Sequence, residues 1–205
     1  MTCNRRLIIV LGSLWLLAAA AGVLAGETLS ATEARKLNTF FSNFSEARME
    51  SFTPGSLSDD ALLSFALTHN YINNFKILKP SPDRLSVLVP AALVDRTTTK
   101  YFGRTMHAHP GAPYSVLMAD GDSLPFSQIR TLMALGDDRY QAGGLIYLPG
   151  GPGPLDIHAN PNNWKKDGAE VEAIAQFTAI IKKATTGSGG ERWILTEYAV
   201  IEGAP

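Results

Sequence analysis

Four histidines, His69, His107, His109 and His158, are the residues of this chain best suited to acid–base or metal chemistry. His107 and His109 flank Ala108, and alternate residues of an extended segment project to one side. Asp156 and His158 add a carboxylate and a third imidazole, donors that zinc or copper accepts. Against this, Pro110-Gly111 turns the neighbourhood into a loop, and two histidines at this spacing arise often by chance. No resident metal or cofactor is therefore expected. His69 stands differently: it closes an apolar helical stripe beside Asn70 and Asn73. One reading has the imidazole offered into a pocket; the other has a buried ring bonded to backbone, with the asparagines capping the helix.

Other catalytic patterns are missing. Gly187-Ser188-Gly189 lacks the spacing of a nucleophile elbow and reads as a flexible turn. Gly150-Gly151-Pro152-Gly153-Pro154 has no Lys-Ser/Thr ending, and its prolines remove the N–H donors that a phosphate cradle needs. Asp120-Gly121-Asp122 lacks the remaining ligands of a calcium loop. Tyr101 and Trp164 are candidate ligand or partner contacts, Trp164 because it follows the Gly/Pro-rich stretch and precedes Lys165-Lys166. Two readings follow. The favoured one is an exported, non-enzymatic binding or interaction domain of the cell envelope, with a small molecule or an envelope protein as partner. The alternative is a hydrolase-like or metal-assisted enzyme that uses His69 or the His107/His109/His158 set.

The amino terminus directs the chain outward. Arg5 and Arg6 precede an uncharged apolar run over 7–25 that ends Val23-Leu24-Ala25. This is a signal peptide with cleavage expected after Ala25; an uncleaved anchor is the competing reading. Either places the rest in the periplasm or outside the cell. The only cysteine, Cys3, goes with the leader, so the mature chain has no disulfide, no lipid-anchor thiol and no cysteine nucleophile. Losing Arg5 and Arg6 moves the formal net charge from −1 to −3. Nucleic acid requires a basic surface, so it is not an expected partner. Membrane contact is expected only through the leader.

The elements that must position these residues fall into two halves. Ser30 and Glu33 form a capping box, and Leu37, Phe40, Phe41 and Phe44 repeat on one helical face. Pro54-Gly55 breaks the chain. Ser58 caps a second helix whose face holds Leu62, Phe65, Ala66, His69 and Ile72, with Asn73-Asn74 ending it through the left-handed conformation. A short strand over 84–89 precedes a helix with Pro90 at its first position and Gly103 as its stop. Residues 114–118 read as another short strand.

Four longer strands then follow, over 127–135, 139–148, 172–184 and 192–201, joined by turn residues and by an irregular Gly/Pro-rich loop at 149–163. The Ala content of 172–183 makes helix a rival there, but its Ile, Phe and Thr favour strand. The expectation is one α+β domain over 26–205. Its N-terminal helices pack on one face of a curved antiparallel four-stranded meander, with cystatin-like and nuclear-transport-factor-like folds as analogies of shape.

Three segments, Phe40-Phe41-Ser42-Asn43-Phe44-Ser45-Glu46, His69-Asn70-Tyr71-Ile72-Asn73-Asn74 and Lys100-Tyr101-Phe102-Gly103, together resemble a group of functionally uncharacterised bacterial exported proteins and lipoproteins. The resemblance covers mainly 29–103. It implies export and a single domain and brings no established activity. This chain departs from the lipoprotein members because no cysteine follows its leader.

Overall fold

The computed structural model describes residues 29–119, 123–151, 155–166, 170–187 and 189–203. The expected leader, the Asp120-Gly121-Asp122 turn and Pro152-Gly153-Pro154 lie outside these residues. The fold is α+β: N-terminal helices pack on an antiparallel four-stranded meander, beside a small three-stranded sheet.

Helix α1 (Ala31–Glu46) starts where the capping box places it. The Glu33 N–H donates to Ser30 Oγ at 3.2 Å, and the Ser30 N–H donates back to Glu33 Oε2 at 3.1 Å. Leu37, Phe40, Phe41 and Phe44 are all buried, as their spacing requires. Helix α2 (Asp59–Asn74) is capped by Ser58, whose Oγ accepts the Ala61 N–H at 3.1 Å. Two expectations about helix ends need correction. Pro90 is the N-cap of α3 (Ala91–Phe102), one residue before the first helical position. After Asn74 the chain tightens into a 3-10 turn over 75–77 with Phe75 right-handed, so α2 does not end through a left-handed asparagine. Gly103 does close α3 in the left-handed region, with φ 70°.

The small sheet pairs β1 (Lys79–Pro80), β2 (Ser86–Val89) and β3 (Tyr114–Leu117) in the order β1-β2-β3. Two of its strands were expected from sequence, but their pairing was not, nor was β1, whose two residues carry no periodicity. Arg84, expected at the start of the second strand, instead sits in the turn before it with φ 59°. The small sheet buries Val87 and Val89 against Ala66 of α2 and Val94 of α3.

The large sheet runs β4 (Phe126–Gly136), β5 (Arg139–Pro149), β6 (Val171–Thr185) and β7 (Glu191–Glu202), each antiparallel to the next. The segment weighed between helix and strand is β6, whose Ala175, Phe177, Ala179 and Ile181 alternate inward. The loop expected to be irregular through residue 163 gives way at Pro161 to a short helix, α4 (Pro161–Lys166).

The core joins α1, α2 and α3 to the sheet through aromatic rings: Phe41 lies 4.7 Å from Phe177, and Phe44 lies 5.1 Å from Phe65, centroid to centroid. Gly144 on β5 makes room for this. A Cβ there would stand 2.3 Å from the Gln128 carbonyl oxygen and 2.6 Å from Phe177 Cε1. Among the described residues no helix is long and apolar enough to cross a membrane.

Candidate functional site

The helix ends bring His69, Asn73 and Tyr101 together, and they add two residues the sequence did not single out, Glu46 and Lys100. The His69 ring is 6% exposed, stacked 5.7 Å from Phe65 and edge-on to Tyr101 at 4.8 Å. Asn73 Nδ2 donates to His69 Nδ1 at 3.2 Å and reaches the His69 carbonyl at 3.3 Å. A neutral imidazole with its proton on Nε2 suits that contact. Burial, aided by the Lys100 charge, lowers the His69 pKa to about 4. Burial also raises the Glu46 carboxyl, against an opposing bond from Asn73. Lys100 Nζ lies 4.6 Å over the Tyr101 ring, and burial lowers its pKa. Tyr101 is held in its phenol form by burial and by Glu46.

Asn70 is buried between two helices. Its amide donates to the Ala66 carbonyl at 2.8 Å and to Thr97 Oγ1 at 2.9 Å, and it accepts from Asn74 at 2.9 Å, tying α2 to α3.

The other histidines do not converge. His107 is 85% exposed and places Nδ1 2.9 Å from Asp59 Oδ2, while Arg104 meets the other Asp59 oxygen at 2.7 Å. His109 Nε2 lies 3.0 Å from Asp95 Oδ1, and its Nδ1 lies 3.2 Å from the Tyr114 hydroxyl. His158 belongs to a third place, the loop that meets α1, where its carbonyl accepts from Asn38 and its N–H donates to Asp156. Among the described residues no group of three or more His, Cys, Asp or Glu could hold a metal ion. Trp164 is buried at 4% exposure, so it offers no open ring. Its Nε1 donates to the Asp156 carbonyl at 2.9 Å, and it packs edge-on against Phe126 at 5.2 Å and Tyr147 at 5.4 Å.

The larger opportunity is a groove of about 710 Å³ under the carboxyl end of α1. Its floor is apolar, built from Met49, Ile146, Leu148, Ile174, Ala175 and Val200, with Arg48, Glu50 and Glu202 at the rim. The end of α1 shapes it. The Met49 N–H donates to the Phe44 carbonyl and the Arg48 N–H to the Ser45 carbonyl, both at 2.9 Å. This is a Schellman closure with arginine, at φ 50°, where glycine is usual. The turn carries Met49 into the core and Arg48 to the mouth.

Tyr198 also lines the groove. It is 2% exposed, and its hydroxyl is shut off from solvent beside Ser45. The neighbouring Ser45 hydroxyl is engaged by Ser127 Oγ and by the Phe41 carbonyl. Burial holds the Tyr198 phenol well above its ordinary pKa, with Ser45 acting the other way. A second cavity of about 380 Å³ presents Ser51, Thr53, Gln141, Thr178 and Glu197. His69, Asn70, Asn73 and Tyr101 line neither cavity.

The groove escaped sequence reasoning because its residues come from α1, the turn after it and three strands, with no local spacing to mark them. The signal available was Arg48-Met49-Glu50, a charged pair around an apolar residue directly after a helix. Comparison with protein families, curated proteins and solved structures finds no match for this chain.

Proposed function

We propose that this chain is an exported, non-enzymatic binding domain of the cell envelope, and that its ligand is a small amphiphilic molecule held in the groove under the end of α1. The observation that carries this reading is the groove itself, apolar in Met49, Ile146, Leu148, Ile174 and Val200 and bordered by the charged Arg48, Glu50 and Glu202. The volume lies in the range of small-molecule sites, and an apolar wall with a few polar groups is their usual composition. The leader and the resemblance to exported proteins supply the setting. The enzyme alternative needs a cleft at His69 or at the His107/His109/His158 set; His69, though near the Glu46 carboxylate, lines neither cavity, and His107, His109 and His158 stand apart, which favours binding over catalysis.

The test uses Nile red, an uncharged amphiphile with a carbonyl acceptor. Titration into the protein purified from an exporting host is expected to give saturable, blue-shifted emission. Val200→Trp, which fills the groove, abolishes it. Equal emission from the wild type and from a folded Val200→Trp protein rules the groove out.

A further inference from the structure

We infer that the rim formed by the small sheet and the turn after α2 is a docking surface for an anionic lipid bilayer. Five large apolar side chains stand in solvent there: Phe75, Ile77, Leu85, Leu117 and Met118, with Leu85 at 64% and Leu117 at 74% exposure. Backbone contacts gather most of them. The Met118 N–H donates to the Leu85 carbonyl at 3.0 Å, and Leu117 stands opposite Ser86 in the β2–β3 register. The Tyr71 hydroxyl accepts the Ala119 N–H at 2.8 Å and donates to its carbonyl at 3.2 Å, while the Tyr71 ring sits edge-on to Phe75 at 5.5 Å. The turn after α2 is thereby held at the end of β3. A cluster of exposed apolar groups of this kind marks a contact surface.

Charge selects the occupant. Lys76, Lys79 and Arg84 are interleaved with Phe75, Ile77 and Leu85, all are exposed, and none forms an ion pair among the described residues. The acid within this stretch, Asp83, is occupied locally: its Oδ1 accepts the Ser81 hydroxyl and the Leu85 N–H. Asp120 and Asp122 follow in the chain and lie outside the described residues. Apolar side chains that enter the headgroup boundary, flanked by cations that meet lipid phosphates, form the pattern of a peripheral membrane contact. The chain as a whole is slightly acidic, so this cationic stretch stands apart from its average. The sequence expectation limited membrane contact to the leader; this surface adds a second contact that outlasts cleavage, and it is independent of the groove.

Co-sedimentation with vesicles tests the inference, using protein from an exporting host with the same N-terminus, checked by mass, in every variant. Binding to equimolar phosphatidylcholine–phosphatidylglycerol vesicles is expected, with little binding to phosphatidylcholine alone and weakening as salt rises. Each cation removed lowers partitioning about fivefold, so Lys76→Glu/Lys79→Glu/Arg84→Glu lowers it at least about a hundredfold. Leu85→Ser/Leu117→Ser, at two exposed positions, also releases the protein from vesicles while its thermal unfolding stays unchanged. Equal binding to neutral and anionic vesicles, no binding to either, or undiminished binding by both folded variants overturns the inference. So does a dimer in sedimentation that Leu117→Ser dissolves without any vesicle binding, which assigns the surface to a second copy of the chain.

Discussion

Asn38 on α1 accepts the backbone N–H of Ile129 on β4 through its Oδ1, at 2.8 Å. Strand β4 is an edge of the large sheet, and its outward N–H groups would otherwise invite another strand. Helix α1 satisfies two of them with side chains: Asn38 takes Ile129, and Ser42 Oγ takes the Ser127 N–H at 3.0 Å. Asn38 Nδ2 then donates to Gln128 Oε1 at 2.8 Å, and Gln128 Nε2 donates to the Ile157 carbonyl at 2.6 Å. One side-chain relay joins the helix, the strand edge and the loop that carries His158.

Asn38→Ala breaks this relay at its centre. It leaves the Ile129 N–H and the Gln128 amide oxygen buried without their partner, at about 1–3 kcal/mol for each such group. The expected loss is about 3 kcal/mol, read as a lower urea midpoint with an unchanged slope. A loss below about 1 kcal/mol would show that water reaches the edge.

Gly143 and Gly144 are adjacent but answer substitution differently. A Cβ at Gly144 meets the Gln128 carbonyl and the Phe177 ring, neither free to move in a packed core. A Cβ at Gly143 meets Thr131 Oγ1 at 2.8 Å, the end of a side chain that can rotate. Gly144→Ala is expected to cost about 3 kcal/mol, and Gly143→Ala about 1 kcal/mol. Thermal unfolding of the two variants checks the order.

His69 makes stability fall toward acid pH. Its folded pKa of about 4 lies below the ordinary 6.5, so between these values the unfolded chain takes a proton that the folded chain refuses. The contribution is complete above pH 6.5 and lost as pH falls toward 4, to a limit of about 3 kcal/mol. Glu46, raised by burial, works in the opposite sense: the folded chain holds its proton more tightly, so its effect strengthens as pH falls through its folded pKa. Unfolding midpoints of the wild type and His69→Gln, followed from neutral pH to pH 4, are expected to diverge, with the variant flatter. Parallel curves would contradict a buried neutral ring.

The fold was legible where a local rule and the burial pattern agreed. The capping box and Phe stripe of α1, the Ser58 cap and the alternation in β6 all encode an element within a few residues. The pairing of β1, β2 and β3 was not legible, because two- and four-residue strands carry too little period and their partners lie up to 31 residues apart, as Ser86 and Leu117 do. Among the candidate site residues, His69 and Asn73 proved to be partners because they lie one helical turn apart on the same face. His107 and His109, closer still in sequence, did not, since each found a carboxylate on a different helix, Asp59 on α2 and Asp95 on α3. The groove depends on long-range placement alone.

Arg48 gives the groove its sharpest prediction, because stability and binding should move in opposite directions. Arg48 occupies a left-handed position that costs a side-chain-bearing residue about 1 kcal/mol relative to glycine. Arg48→Gly therefore stabilises the empty protein by about that amount, through the same Schellman bonds. Nile red is expected to bind Arg48→Gly more weakly, because the aliphatic stem of Arg48 lines the groove and glycine leaves that wall open. Strain that persists only where a ligand is handled is the mark of a site retained for function. If Arg48→Gly is more stable and still binds Nile red as the wild type does, the arginine has no part in binding.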